Sequence, residues 1–299
     1  MRALVTGATG FVGRRLVERL DGPVVLSRDA ERARKSLAAD VTAHDWDPLA
    51  GPPPAEALDG VEAVYHLAGE SVAQGRWTAA KKQRIRDSRV LGTRHLAEAI
   101  AASSAPPKVL ISASAVGYYG SQGDRLIDET APAGDDFLAE VCRAWEAESQ
   151  RVREAGVRLV NPRIGVVLGR GGGALAKMLT PFKLCVGGRL GDGRQYMPWI
   201  HLDDLVGMIL HAAEHDEMSG PMNATAPNPV TNREFTRALA RVLGRPAIFP
   251  APKFALKLLF GEFAEALFDS QRVVPRAAEA AGYEFRYPGL EPALRAILE

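Results

Sequence analysis

Two cysteines, Cys142 and Cys185, are all that 299 residues contain, and they lie far apart, outside any C-x-x-C or Cys/His cluster. A disulfide framework and a zinc site are therefore excluded, which fits a reducing compartment. Charge of one sign is also lacking: 37 basic residues face 36 acidic ones, a formal net charge of +1. Such a balance gives no long-range pull toward nucleic acid or anionic lipid. No run approaches the roughly 20 uninterrupted apolar residues of a membrane-spanning helix. The longest apolar candidate, Phe254 to Phe268, is broken by Lys257, Glu262 and Glu265. Strand-like residues begin at Arg2, so no signal peptide is expected. Internal repeats and low-complexity tracts are absent as well. Hydrophobic and charged fractions of 46% and 24% are those of a globular chain. The expectation is a cytoplasmic protein, monomer or homodimer, with no membrane, nucleic-acid or metal partner.

What is present is alternation. Ala3-Leu4-Val5-Thr6, Val24-Val25-Leu26-Ser27, Val41 to Ala43, Ala63 to Leu67 and Lys108 to Ser112 read as short strands. Between them lie helical stretches: Phe11 to Leu20, a helix capped by Asp29 and running to about Leu37, and Thr78 to Ala102. Strands separated by helices imply right-handed crossovers and a parallel sheet covered on both faces. A further helix is expected from Asp136 to Ala155, with Phe137, Val141, Trp145 and Val152 on one face and Gly156 ending it. Val157 to Leu168 supplies one or two more strands. After Gly169 the chain turns glycine-rich, with two short apolar segments. From Thr231, where Thr231-Asn232-Arg233-Glu234 forms a capping box, it is mostly helical.

Thr6-Gly7-Ala8-Thr9-Gly10-Phe11-Val12-Gly13 places G-x-x-G-x-x-G between the first strand and the first helix. One glycine permits the tight turn, another the approach of backbone N–H groups to a pyrophosphate, and the third close helix–strand packing. This context points to dinucleotide binding. A carboxylate at the end of the second strand would bond the ribose 2′-OH of NAD. Here that strand ends Leu26-Ser27-Arg28, and an arginine pairs with the 2′-phosphate of NADP instead, with Arg32 one turn on. The other reading leaves Arg28 solvated and gives the ribose to Asp29.

Thr6 to Gly13, Tyr65-His66-Leu67-Ala68-Gly69, Arg86-Asp87-Ser88-Arg89 with Gly92-Thr93, Arg163 to Gly169 and Trp199 to Asp204 together resemble the extended and atypical short-chain dehydrogenase/reductases. Ser112 to Gly120, Asp136 to Cys142, Gly187-Gly188 to Gly191 with Gln195, and the C-terminal helical segment are similar to an epimerase-like subgroup. Its members are NAD-dependent epimerase/dehydratase family proteins of unknown substrate. The resemblance covers the whole chain and implies a Rossmann doubly wound α/β sheet with a smaller, mainly helical C-terminal substrate-binding part. Residues 1–169 would form the dinucleotide-binding domain and 170–299 the rest, with 199–215 returning to the core. Gly7, Thr9, Gly10, Phe11 and Val12 would line the pyrophosphate, and Ser27, Arg28 and Arg32 the adenosine phosphate. Asp45 or Trp46 would lie near the adenine, and Leu67, Ala68 and Gly69 under the adenosine ribose. Ser112, Ala113 and Ser114, with Arg163, Ile164 and Gly165, would approach the nicotinamide and its ribose.

One departure stands out. Oxidoreductases of this superfamily use Ser with Tyr-x-x-x-Lys, the lysine lowering the tyrosine pKa from one turn away on the same helix face. The six tyrosines here are followed four positions on by Gly69, Gln122, Gly123, Ile200, Tyr287 and Glu291, never lysine. Candidate replacements are Ser114 as donor to a substrate oxygen, and Tyr118 or Tyr119 as general acid. Glu140 reads as a helix-surface carboxylate. The basic residues Lys81, Lys82, Arg84, Arg86, Arg89 and Arg94 read as a solvated helix face, or as a steering surface for an anionic substrate. His201, Asp203 and Asp204 read as structural. Three functions follow: an NADP-dependent oxidoreductase on a small or nucleotide-linked carbonyl or alcohol, a non-catalytic NADP(H)-sensing regulator, or an epimerase or dehydratase with held cofactor.

Overall fold

A computed structural model of the chain describes residues 1–37 and 39–299, apart from the side chains at 255, 259 and 260. It opens with β1 (Ala3–Thr6), α1 (Phe11–Val17), β2 (Val24–Ser27), α2 (Ala30–Ser36) and β3 (Thr42–Asp45). Next come β4 (Ala63–His66), α3 (Ala79–Ala102), β5 (Val109–Ser112), β6 (Ser114–Ala115), β7 (Leu126–Ile127) and α4 (Phe137–Ser149). The middle of the chain forms β8 (Arg158–Ile164), β9 (Val166–Leu168), α5 (Gly173–Lys183), β10 (Tyr196–Met197), β11 (Trp199–His201), α6 (Leu202–Glu214) and β12 (Gly220–Ala224). The remainder is β13 (Val230–Thr231), α7 (Asn232–Leu243), α8 (Lys253–Phe260), α9 (Phe263–Ala266), β14 (Arg272–Val273), α10 (Arg276–Ala280) and α11 (Leu290–Leu298).

The main sheet has the order β3-β2-β1-β4-β5-β8-β12, with β6 also on β8, and its pairings are parallel. Period-two alternation divides its apolar residues between two cores. Val5, Tyr65, Ile111 and Val160 pack with Leu16 of α1 and with Leu205 and Ile209 of α6. Leu4, Val64, Leu110 and Leu159 face the other way, onto Leu96 and Ile100 of α3. Both faces are thus covered, as a doubly wound parallel sheet requires. A third core gathers Phe182, Trp199, Phe235, Leu239, Leu290 and Leu294 around α5, α7 and α11.

Four local differences from the sequence reading have physical causes. The helix after Asp136 stops at Ser149 and tightens into a 3₁₀ turn over Gln150–Ala155, which Gly156 ends in the left-handed region at φ 74°. The glycine-rich stretch holds a helix, α5, which ends two residues after its internal Pro181. The return to the sheet extends beyond 199–215, because β12 pairs with β8 along its whole length. The basic residues of α3 are not one solvated face. Lys81 is buried and donates to Glu70 at 2.5 Å, and Arg94 grips Glu148 through bonds of 2.6 and 3.1 Å. Arg89 donates to the Glu70 and Ile85 carbonyls.

Candidate functional site

The strand order reverses between β1 and β4, and the crevice outside their carboxyl ends is where such sheets hold ligands. Gly7 there adopts a left-handed φ of 71°, and a Cβ on it would meet the Leu67 and Ala68 backbone at 2.8 Å. A Cβ on Gly13 would lie 2.2 Å from the Gly7 carbonyl oxygen, so only glycine lets α1 pack against the turn. Gly10 is the N-cap of α1 and offers no side-chain cap to its amides. The crevice floor is fixed from below. The Ala68 N–H donates to Thr6 Oγ1 at 3.2 Å, Thr6 Oγ1 lies 2.8 Å from His66 Nδ1, and His66 Nε2 lies 2.9 Å from Thr93 Oγ1. Burial pushes the His66 pKa down to about 4, so this ring is neutral at ordinary pH. Under Gly69 sits the Arg89 guanidinium, 3.2 Å from where a Cβ would be and 5.0 Å from the Trp145 ring centre.

Above this floor a cavity of about 340 Å³ is lined by Gly7, Thr9, Gly10, Ser27, Arg28, Trp46 and the Leu67–Gly69 strand end. It adjoins a second space of about 620 Å³ beside the end of β2, where Arg14, Arg28 and Arg32 converge. Arg14, which the sequence reading passed over, is held by the Thr9 carbonyl at 3.0 Å and the Ser36 carbonyl at 2.5 Å. The Asp29 carboxylate caps α2 through the Arg32 N–H at 2.8 Å. Asp45 is likewise occupied, accepting from the Ala30 N–H at 2.7 Å, while Trp46 forms part of the cavity wall. Glycines that admit close backbone approach, beside a triple-arginine anion pocket, fit the phosphates of a dinucleotide. Phe11 reaches the loop after β9, where Cβ atoms on Gly169, Gly172 and Gly173 would strike its ring at 2.4–2.8 Å. Val12 packs against the first core.

The residues expected at the reacting end divide sharply. Ser112 Oγ is buried and has no hydrogen-bond partner among the described residues, and Ala113 beside it is buried. The Ser114 hydroxyl donates to Glu146 Oε1 at 2.6 Å. Arg163 binds the same carboxylate through Nε and Nη2, both at 2.9 Å, and donates from Nη1 to the Tyr119 hydroxyl at 2.9 Å. Burial works against the charge on Arg163, but Glu146 and Tyr119 outweigh it and hold its pKa above the ordinary arginine value. Tyr119 is fully buried and donates to Asn223 Oδ1 at 2.6 Å, and burial pushes its pKa up to about 12. Its proton is committed within the protein. Arg163 is likewise held within the wall by Glu146 and Tyr119. Tyr118 covers the Arg163 guanidinium at 3.5 Å from its ring centre, and its hydroxyl has no hydrogen-bond partner among the described residues. Ile164 packs in the first core, and Gly165 is squeezed against the Pro198 carbonyl, 2.4 Å from a Cβ position.

On α4 the residues next to this strand end are Leu138 and Cys142, 3.1 and 3.9 Å from a Cβ position on Gly117. They are four apart on one helix face, the spacing of Tyr-x-x-x-Lys, but they are a hydrocarbon and a thiol. Burial lifts the Cys142 pKa to about 12, leaving the thiol neutral. Glu140 is exposed on the other side.

The C-terminal segment closes over the site. β14 pairs with β7, Asn223 Nδ2 donates to the Val274 carbonyl at 3.0 Å, and Gln271 Nε2 to those of Val116 and Gly120 at 3.0 and 3.1 Å. Trp77 packs at 5.3 Å on Phe137 and 5.4 Å on Phe263, and Lys82 pairs with Glu262. In this segment Asp269 accepts no hydrogen bond and joins no ion pair among the described residues. Burial, with Asp136 and Glu265 nearby, raises its pKa to about 6. His201, Asp203 and Asp204 are structural. His201 caps α6, Asp203 pairs with Arg15 at 2.7 Å, and Asp204 accepts from the Arg286 and Tyr287 N–H groups at 2.8 and 2.9 Å. No group of three or more His, Cys, Asp or Glu among the described residues could hold a metal ion, and no described helix is long and apolar enough to cross a membrane.

Comparison with known proteins agrees with this geometry. Residues 3–224 match the family described as NAD dependent epimerase/dehydratase, and residues 251–297 match a domain of unknown function, DUF1731. The epimerase family protein SDR39U1 homolog, chloroplastic, of Arabidopsis thaliana is 42% identical over all of this chain and 87% of its own length. The epimerase family protein YfhF of Bacillus subtilis is 39% identical over all of this chain and 98% of its own length. The crystal structure of human epimerase family protein SDR39U1 with NADPH superposes with a TM-score of 0.89 at 36% identity, covering 99% of each chain. With UDP-glucuronic acid 4-epimerase from Bacillus cereus the TM-score is 0.80 at 18% identity, covering 99% of this chain and 98% of that one, a likeness of fold alone. The glycine cradle between β1 and α1 and the DUF1731 segment docked over α4 therefore sit in one recognised frame: the chain belongs to the NAD dependent epimerase/dehydratase family, in its SDR39U1-like, atypical short-chain dehydrogenase/reductase branch.

Proposed function

We propose that the chain binds NADPH and acts as an oxidoreductase on a small or nucleotide-linked carbonyl or alcohol. The convergence of Arg14, Arg28 and Arg32 on one cavity beside the nucleotide crevice carries this reading. Three guanidinium groups match a dianionic 2′-phosphate, whereas the two nearby carboxylates, Asp29 and Asp45, are spent on backbone N–H groups. The NADPH in the human relative supports the same choice. Bound at this site, the reduced nicotinamide would supply the hydride. The chain's part is to hold the nucleotide, position a carbonyl and provide a proton. Ser114 directs its own proton to Glu146, and so presents lone pairs rather than a donor. Tyr119 is sealed in the wall. Tyr118, with its hydroxyl unpartnered, is the tyrosine left to act as general acid.

A second reading, non-catalytic NADPH sensing, is favoured by the lack of any Tyr-x-x-x-Lys, with Leu138 and Cys142 the α4 side chains beside the strand end. Fluorescence titration with NADPH and NADH, alongside Arg28→Ala, tests the cofactor assignment. Preference for NADPH that the variant loses supports it, and equal binding of both nucleotides overturns it. NADPH oxidation across a carbonyl panel, with Tyr118→Phe as control, then separates the two readings. Turnover lost in the variant supports the oxidoreductase. Silence across the panel, with NADPH shifting the association state, supports the sensor. Isomerised product without net NADPH oxidation would point to epimerisation.

A further inference from the structure

Among the described residues nine large hydrophobic side chains are exposed, and six of them fall in two short segments: Leu184 and Val186, then Ile248, Phe249, Phe254 and Leu258, each 60–77% exposed. The two segments form one surface. Ala251 donates its N–H to the Arg189 carbonyl at 2.8 Å and accepts from the Gly191 N–H at 3.0 Å, and the chain at 249 lies against Gly188. Phe254 and Leu258, four apart, project from the same side of α8.

The charge on this surface is as uneven as its hydrophobicity. Residues 181–195 and 244–258 contain Lys183, Arg189, Arg194, Arg245, Lys253 and Lys257 against a single acid, Asp192. All six cations are exposed; Lys257 pairs with Glu265 at 3.2 Å and Arg194 with Asp192 at 3.8 Å, while Lys183, Arg189, Arg245 and Lys253 join no ion pair among the described residues. The rest of the chain holds 31 basic and 35 acidic residues, so a near-neutral total conceals a cationic face on a mildly acidic body. We infer that this face docks on an anionic lipid bilayer surface, with the six apolar side chains entering the headgroup layer and the lysines and arginines meeting lipid phosphates and carboxylates.

Three features favour lipid over other occupants. The apolar side chains stand out singly from a turn, a loop and a short helix; a fluid interface needs no matching shape. Pro246, Pro250 and Pro252 carry no N–H, and the Ala251 N–H is already bonded, so the inserting loop brings few unpaired backbone donors into an apolar layer. A second copy would oppose the unpaired Lys183, Arg189, Arg245 and Lys253 to their own counterparts, a repulsion that works against self-association through this face. Lysine and arginine stems can lie along the apolar patch while their heads reach the phosphates. Local electrostatics thus overrides the absence of long-range pull expected from the net charge.

The test is flotation of the full-length protein with phosphatidylcholine vesicles and with vesicles containing 30 mol% phosphatidylserine, at low and high salt. The expected result is binding to the anionic vesicles only, weakened by salt. Phe254→Ser with Leu258→Ser, and separately Arg189→Glu with Lys253→Glu, should each lower that binding at least tenfold while NADPH affinity and melting temperature stay at wild-type values. No binding to anionic vesicles, or binding that both variants retain, overturns the inference. So does a concentration-dependent dimer that the Ser variant abolishes without lipid, which would give the face to a second copy.

Discussion

Arg163 and Glu146 face each other side-on, Nε and Nη2 of the guanidinium each 2.9 Å from one carboxylate oxygen, with both side chains largely shielded from water. The pair joins β8 to α4, and through Tyr119 and Asn223 it reaches the C-terminal segment. Removing one partner strands the other charge in a low-dielectric wall. Arg163→Met should therefore cost about 3–5 kcal/mol. Replacing both, Arg163→Met with Glu146→Leu, should recover at least half of the loss, because no unpaired charge remains. Urea unfolding of the single and double variants checks this, and a double variant no better than the single one would contradict it.

The arginine pocket makes a prediction that the glycine motif alone does not. Hydrogen bonds to charged groups contribute about 1.5–3 kcal/mol, so Arg14→Ala should weaken NADPH binding about 10- to 100-fold, as should Arg28→Ala. NADH lacks the 2′-phosphate and should be affected far less. Arg14 also bridges the Thr9 and Ser36 carbonyls, so Arg14→Lys, which keeps the charge but not the fork, should restore only part of the affinity. Isothermal titration with both nucleotides separates these outcomes.

What could be read from the sequence was whatever depends on neighbours along the chain. Strand–turn–helix order, the Gly7–Gly13 spacing, the Asp29 cap and the Thr231–Glu234 capping box are local devices, and the fold displays them where expected. The reacting end was less legible, since its partners lie far apart in sequence. Ser114 and Glu146 are 32 residues apart, and Tyr119 and Asn223 are 104. Nothing in the run from Ser112 to Tyr119 tells that one hydroxyl is sealed while its neighbour is left unpartnered. Arg14 had a sequence signal, one helical turn past Gly10, but its role depends on the end of β2, which the fold alone brings beside it. The basic residues of α3 misled for the same reason, their carboxylate and carbonyl partners lying mostly on other elements.

His66 should give the protein an acid-sensitive slope. Its native pKa of about 4 lies below the ordinary 6.5, so between those values the unfolded chain takes up a proton that the native state refuses. Stability should fall as pH drops through this window, by up to about 1.4 kcal/mol per unit. His66→Gln keeps hydrogen-bonding groups near Thr6 and Thr93 but cannot titrate. It should be less stable at pH 7 yet show a flatter curve from pH 6.5 to 4, measured by urea midpoints at fixed ionic strength.

Asp269 tilts the curve the other way. Its native pKa of about 6 exceeds the ordinary 3.8, so the native carboxyl keeps its proton after the unfolded one has lost it. Its contribution is fully present below pH 3.8 and is lost as pH rises through 6, where a half-buried charge develops beside Asp136 and Glu265. A shift of this size would correspond to nearly 3 kcal/mol, yet the group is only half buried, and solvent screening reduces that to about 1 kcal/mol. Asp269→Asn removes the charge but keeps the shape. It should match the wild type near pH 4 and exceed it by about 1 kcal/mol at pH 8, the gap opening around pH 6. Parallel stability curves across that range would show that Asp269 titrates as an ordinary surface carboxylate, and that the contact between the C-terminal segment and α4 carries no proton-linked strain.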